Sequence, residues 1–436
     1  MSDFSEWPAH AAHLVPCFAQ NASNIDVEGA FPDEEIASLR QAGLLGASVP
    51  CGFGGGGLGT DVGSTEALLQ TLWHIGRGNL SVGRLFEGHV NALQLVYWFG
   101  TEEQKSRLFA DALNGHLFGV WNTQANGGVR FEPKTQTEGD TTGHIKCPAS
   151  GPEAQVSYRT HNPIQPNIPD QKGECVIQAN SQNHGWVMQG SKTFCSGATR
   201  VSRPIVTGER DGWQMAVVPM DRAEVKTDPS WWQPLGMRAS ASFATDFSGA
   251  VLRQEDLLGG AGDYYQQPAF SGGAIRFCAV QLGGAAALFE ETREFLNATG
   301  RNEDPFARAR VGQMAAKVQS GWQWLRSAGE AWERRGDGGQ MVAFAAMMRV
   351  ATEEICNSVL EMAERSVGAR GLLRPCAVER LSRDLTMYLK QPHLDEIPVR
   401  VGKFAMESEA PAHELWSGCR MGSNMDVSMD AKGCGG

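Results

Sequence analysis

Apolar periodicity changes character twice along this chain, and that double change constrains the fold more than any other feature. From about residue 30 to 118 the spacing is helical. In "FPDEEIASLRQAGLL", Asp33, Glu34 and Glu35 fall in a first turn, where carboxylates face the partial positive charge of a helix N-terminus. Ile36 and Leu39 share one face, and Gly43 predicts the stop. "TEEQKSRLFADALNG" repeats the grammar: Thr101 and Gln104 stand at capping-box spacing, Leu108 and Ala112 face inward, and Gly115 closes the helix.

Helical spacing disappears from about 119 to 256. Short runs such as "LFGVWNTQ", "GWVMQGSKTFCSG", "QMAVVPM" and "FATDFSGAVL" sit between Gly, Pro and Asp turns and predict strands. Residues 126–184, polar and rich in Gly, Pro, Thr and Gln, read as an inserted loop region. From 271 to 407 the helical pattern returns: Cys278, Leu282, Ala286, Phe289 and Leu296 recur at three-to-four spacing, as do Ile355, Val359, Met362 and Val367. Long helices of this kind pack as an antiparallel bundle. The expected fold is α+β and multidomain, with an N-terminal helical domain over 1–118 and a central β-barrel or sandwich-like domain over 119–256. A C-terminal four-helix bundle follows over 257–407, then a patternless tail over 408–436 that predicts disorder.

Several function classes drop out. A formal charge of -11 without a basic cluster argues against nucleic acid, whose phosphates need neutralising. The ten cysteines form no C-x-x-C pair, which reads as a reduced, cytoplasmic protein. "MSDFSEWPAHAAH" lacks the charged stretch and apolar core expected of a leader, and no stretch reads as the ~18 apolar residues of a membrane span. The histidines show no H-x-x-x-H or H-E-x-x-H, so no metal site is expected, and there is no G-x-S-x-G elbow. "GFGGGG" places Gly52, Gly54 and Gly57 at dinucleotide-fingerprint spacing, but without the strand before and helix after that the fingerprint needs; it reads as a flexible glycine loop.

The order of elements then meets recognisable residues. "FPDEEIASLRQAGLLGASVPCGFGGGGLGTD" resembles the N-terminal segment of the acyl-CoA dehydrogenase superfamily. "LFGVWNTQ" is similar to that family's first flavin-contacting strand, "GWVMQGSKTFCSG" to its second, "QPLGMRASAS" to its "LGxRxS.T" loop, and "SVGARGL" to its glycine stretch in the bundle. The resemblance implies a flavin enzyme that moves hydride from a substrate C–H bond to flavin N5, with FAD held between β-domain and bundle. It implies ring contacts from Trp121, Asn122 and Thr123, an aromatic and a hydroxyl from Phe194 and Ser196, and room for the adenosine part at Gly368 and Gly371. It also implies Arg301, with Gln313 downstream, on the FAD diphosphate of a neighbouring subunit, hence a homodimer or homotetramer.

The departures from the family are as informative. The usual Glu base that follows the "RD…Y" helix is replaced by Pro392, and the alternative position on the first bundle helix falls on Gly273 or Ile275. Loss of a general base costs ~10²–10⁴ in rate, so ordinary fatty acyl-CoA dehydrogenation is not expected. His393, Asp395 and Glu396, just after Pro392, are then either a displaced acid–base group or a polar surface turn. The alternatives are the related two-component monooxygenases, which use O2 with reduced FMN or FAD supplied by a partner flavin reductase, and a non-redox flavin-binding relative. The substrate is a small molecule in either enzyme.

Overall fold

The computed structural model describes residues 4–124, 128–134, 185–334, 338–412 and 414–416. Most of the expected insertion over 126–184, and the tail beyond 416, lie outside the described residues.

The chain begins with α1 (Glu6–Glu28), α2 (Asp33–Gln41), α3 (Leu44–Ala47), α4 (Thr65–Gly78), α5 (Leu80–Phe99) and α6 (Glu102–Leu113). Local chemistry sets several ends. Thr101 Oγ1 accepts from the Gln104 amide at 3.2 Å while Gln104 Oε1 accepts from the Thr101 amide at 3.0 Å, closing the capping box of α6. Ile36 and Leu39 of α2 are buried, and Gly43 takes φ +73°, a left-handed stop that a side chain would strain.

The glycine loop differs from its expectation. It is packed, not loose: Gly57 N–H donates to Val49 O and Leu58 N–H to Ala47 O, both at 2.8 Å. A Cβ on Gly55 would lie 2.2 Å from Val49 O, so the glycines serve a close backbone approach. Turns, not a helix, follow until Thr65.

The middle of the chain builds two sheets. The first pairs β10 (Leu257–Leu258), β6 (Trp213–Val217), β5 (Arg203–Glu209), β2 (Arg130–Pro133), β3 (Trp186–Gln189) and β9 (Val251–Leu252) in that order, with β1 (Phe118–Trp121) added in parallel to β5. The second runs β4 (Ser191–Cys195), β8 (Phe243–Asp246), β7 (Lys226–Asp228). Gly190 alone separates β3 from β4 and makes the corner between sheets; at φ +103° its Cβ position would lie 1.8 Å from Gly128 O.

Helices return as α7 (Ala269–Ala298), α8 (Pro305–Glu333), α9 (Gly338–Gly371), α10 (Ala377–Leu389) and α11 (Glu396–Glu407). A Cβ on Gly76 of α4 would meet Val280 O at 2.4 Å, and one on Gly283 of α7 would meet Trp73 O at 2.1 Å. The early helices therefore pack backbone to backbone on the late ones and share their apolar core. Length and composition alone would let α7 cross a membrane, although no such stretch is expected from the sequence; 78% of the apolar window is buried inside the protein.

One histidine fixes the sheet to this core. His89 of α5 is fully buried; its Nδ1 accepts from the Phe118 amide at 3.1 Å, which leaves Nε2 to carry the proton and donate to Leu45 O at 2.8 Å. The bond places the start of β1 beside the middle of α5.

Candidate active site

At the other end of β1, Trp121 meets the end of β4. Buried Trp121 donates from Nε1 to Ser196 O at 3.1 Å. Ser196 Oγ lies 2.9 Å from Ser242 Oγ, which lies 2.7 Å from Ser240 Oγ, so three hydroxyls form a chain. Ser240 and Ser242 are held by a loop that cannot drift. The Met237 amide donates to Asp384 Oδ1 of α10 at 2.6 Å, and a Cβ on Gly236 would lie 2.2 Å from Arg383 O.

Beneath the strand ends sits Lys192 of β4, with no exposed surface. Its Nζ donates to Asn122 O at 3.0 Å, Gln124 Oε1 at 3.0 Å and Thr207 Oγ1 at 3.2 Å, and stands 4.9 Å from the Trp213 ring centre. Burial pushes its ammonium down to about 7. Asn122 is gripped again through Oδ1, which accepts from Thr207 Oγ1 at 2.7 Å and Trp213 Nε1 at 3.1 Å.

Aromatic surface lies open beside this scaffold. Phe194, at φ +54°, is 44% exposed, with Trp231, 39% exposed, in edge contact at 5.0 Å. On the Asn122 side, Tyr265 is 43% exposed and its hydroxyl stands 3.5 Å from Asn122 Nδ2. Exposed aromatic faces around a polar strand end suit a flat ring that is apolar on its faces and polar at one edge.

Behind Tyr265 polar side chains of α5, α7 and α10 meet in a buried recess beside Gly88. Tyr264 stacks edge-on against Tyr265 at 5.0 Å and lies in the field of Arg84 and Glu87. Glu87, 1% accessible, is paired with Arg84 and accepts from Asn91 Nδ2; Asn91 Oδ1 in turn accepts from Arg276 Nε of α7. Arg84 keeps 29% of its side-chain surface, within a recess deep enough that burial works against its charge; Glu87 restores the balance and raises its affinity for the proton. Burial pulls Arg276 down to about 10. The Tyr388 hydroxyl of α10 is buried beside Arg84 with no acceptor for its proton among the described residues, and burial raises it well above the usual phenol range. Gly88 of α5 is buried, yet a Cβ there would touch nothing within 4 Å. Space is therefore left beside Gly88.

The residues singled out in the sequence fall in four places. Trp121, Asn122, Thr123, Phe194 and Ser196 come together at the strand ends, where the Thr193 amide donates to Thr123 O at 3.2 Å. Arg301 and Gln313 lie apart from them: Arg301 in the turn after α7, half-buried, and Gln313 exposed on α8. Gly368 breaks the helical path of α9 at φ +66° with open space before it, whereas a Cβ on Gly371 would meet Val367 at 2.3 Å. His393, half-exposed at φ +64°, pairs with Glu396 at 3.3 Å, and Glu396 with Arg400 at 3.3 Å; Asp395 stands just before α11. These three form a surface turn, and none of them belongs to the recess polar chain.

Sequence reading missed Arg84, Glu87, Asn91 and Arg276. A signal was available: "LSVGRLFEGHVNALQLVYWF" is mostly apolar, and Arg84, Glu87 and Asn91 within it share one helical face.

Residues 15–116 match the family described as "Acyl-CoA dehydrogenase, N-terminal domain", and residues 275–391 match "Acyl-CoA dehydrogenase, C-terminal domain", together half of the chain. The chain belongs to the acyl-CoA dehydrogenase superfamily. Within the superfamily it is similar to a dibenzothiophene monooxygenase of Mycolicibacterium goodii, 22% identical over 88% of this chain and 90% of the relative. It is also similar to a probable FMNH2-dependent monooxygenase of Pseudomonas putida, 23% identical over 94% of this chain and 97% of the relative. The crystal structure of FMN-bound TdsC from Paenibacillus shares the acyl-CoA dehydrogenase-like fold, with a TM-score of 0.74 at 20% identity over 94% of this chain and 100% of the other.

Proposed function

We propose that this flavin-dependent oxidoreductase is the oxygenase component of a two-component monooxygenase, receiving reduced FMN or FAD from a separate reductase and inserting oxygen into a small organic substrate. The observation that carries the reading is the state of the carboxylate in the recess. Glu87 is committed to Arg84 and Asn91, and the positions where the superfamily's base would fall are Gly273, Ile275 and Pro392. α-Proton abstraction needs a carboxylate within hydrogen-bond reach and free to accept. Hydride removal from a substrate C–H bond, the first expectation, is therefore less well supported than oxygenation, which needs donors and positioning. The similar monooxygenases favour the same choice. The open aromatic faces beside Asn122 argue for a flavin site in use and against the non-redox alternative.

In this reading Trp121, Asn122 and Thr123 hold the polar edge of the ring, Phe194 covers one face, and Ser196 presents its hydroxyl to the reacting side. When bound, reduced flavin supplies the electrons that activate O2. The chain Ser196–Ser242–Ser240 holds a proton at Ser196 Oγ and can pass it on without a charged group. Arg301 and Gln313 reach the flavin phosphate of a neighbouring subunit in a homodimer or homotetramer, and Gly368 and Gly371 let backbone approach an adenosine part. His393, Asp395 and Glu396 take no part in the chemistry.

The test mixes purified protein with NADH, FMN and a flavin reductase under 18O2, in the presence of dibenzothiophene and indole as probe substrates. Label in product, dependent on both reductase and this chain, is the expected result. Anaerobic bleaching of bound flavin by an acyl-CoA, with no label incorporated from O2, would overturn the proposal.

A further inference from the structure

We infer that the recess between α5, α7 and α10 is a substrate pocket for a small monocarboxylic acid, with Arg276 as the residue that takes the carboxylate. The inference rests on the proposed function only in treating the recess as the substrate's place.

Charge balance comes first. Arg84, Glu87 and Arg276 bring two positive charges and one negative into the interior, and Glu87 is already spent on Arg84 and Asn91. Arg276, 6% exposed, has no carboxylate partner among the described residues. A buried cation is tolerated only when paired, and one monoanion brings the cluster to neutrality, whereas a dianion such as a phosphate would overshoot it.

Geometry agrees with the charge. Asn91 Oδ1 accepts from Arg276 Nε, which fixes the guanidinium plane and leaves Nη1 and Nη2 without a hydrogen bond among the described residues. Two parallel N–H groups are the fork that a carboxylate fits. Gly272 and Gly273 lie beside those nitrogens, at 3.0 Å and 4.0 Å from where a Cβ would stand, so no side chain of theirs covers the fork. Tyr388, 4% exposed, adds a hydroxyl that lies beside Arg84 and has no acceptor for its proton among the described residues, and the space beside Gly88 gives the acid's body somewhere to lie. Tyr264, with Tyr265 beyond it, lies between this cluster and Asn122, so an acid held here would point its other end towards the strand ends.

The experiment is calorimetric titration of the FMN-saturated protein at pH 7.5 with matched pairs, benzoate against benzamide and phenylacetate against phenylacetamide. The acids are expected to bind at least ~10-fold more tightly than their amides, the scale of a charge-assisted hydrogen-bond pair. Arg276→Gln should erase the preference, Arg276→Lys should keep part of it, and Gly88→Leu should weaken acid and amide alike by filling the space. Equal binding of acid and amide by the unmodified protein, failure of both acids to bind, or an acid preference that survives Arg276→Gln each overturns the inference. The unmodified protein decides the matter even if a variant does not fold. Reductase-dependent product formation, followed on the same preparation, judges the monooxygenase reading separately: acid preference without oxygen chemistry keeps the pocket and removes that reading.

Discussion

Lys192 Nζ donates to the carbonyl oxygen of Asn122 at 3.0 Å from a fully buried position, so the residue expected to hold the flavin edge is itself held by an interior lysine. Replacing Lys192 by Met keeps the stem and removes three hydrogen bonds. Buried acceptors left unpaired cost about 1–3 kcal/mol each, so the urea midpoint should fall and FMN should bind more weakly. The pH dependence has a definite sign. Burial lowers this ammonium to about 7 in the folded chain, while an unfolded lysine titrates near ~10.4. Between those values the unfolded chain binds more protons, so Lys192 makes stability rise as pH increases from about 7 towards ~10. The difference in urea midpoint between native protein and Lys192→Met should widen over that range; a constant difference would contradict the burial argument.

His89 predicts the same sign of dependence in a more acidic window. Burial holds its imidazole down to about 4, against ~6.5 when unfolded. Its contribution is complete above pH ~6.5 and is lost as pH falls through that window, amounting to about 3 kcal/mol. Thermal melts of native protein and His89→Ala at pH 7.5 and pH 4.5 should converge at the lower pH. His74, lowered in the same way, stays constant in both proteins and cancels.

Gly236→Ala tests whether the serine loop is positioned by α10. The added Cβ would lie 2.2 Å from Arg383 O, backbone against backbone, so the loop must shift. A cost of about 1–3 kcal/mol is expected, as for overpacking elsewhere. Product formation should fall more than stability at 25 °C accounts for, because Ser240 and Ser242 move with the loop.

Ser196→Ala removes the hydroxyl that begins the serine chain. A lost hydrogen bond of about 1.4 kcal/mol gives a ~10-fold fall in kcat, with FMN affinity within two-fold of native. His393→Ala, in the exposed turn, should leave kcat within two-fold. The reverse pattern, measured by oxygen-coupled turnover, would move the chemistry to the turn after α10.

Much of the scaffold was legible locally. The Thr101–Gln104 box, the Gly43 stop and the inward face of α2 depend on neighbours a few residues apart, so spacing alone reveals them. The strands around Trp121 and Lys192 were legible for the same reason. The glycine loop was misread because its glycines answer to Val49 O and Trp7, contacts that composition does not show.

The sequence by itself determined the order helix, sheet, helix and the residue types at the strand ends. Those are properties of period and position along the chain. Only the tertiary structure decided that Arg84, Glu87 and Asn91 of α5 meet Arg276, about two hundred residues away in sequence, around the space beside Gly88. It also decided that His393, Asp395 and Glu396 stay at the surface. The physical reason is burial: a charge in water needs no partner, whereas a charge inside must find one across the fold, and no local pattern encodes which one.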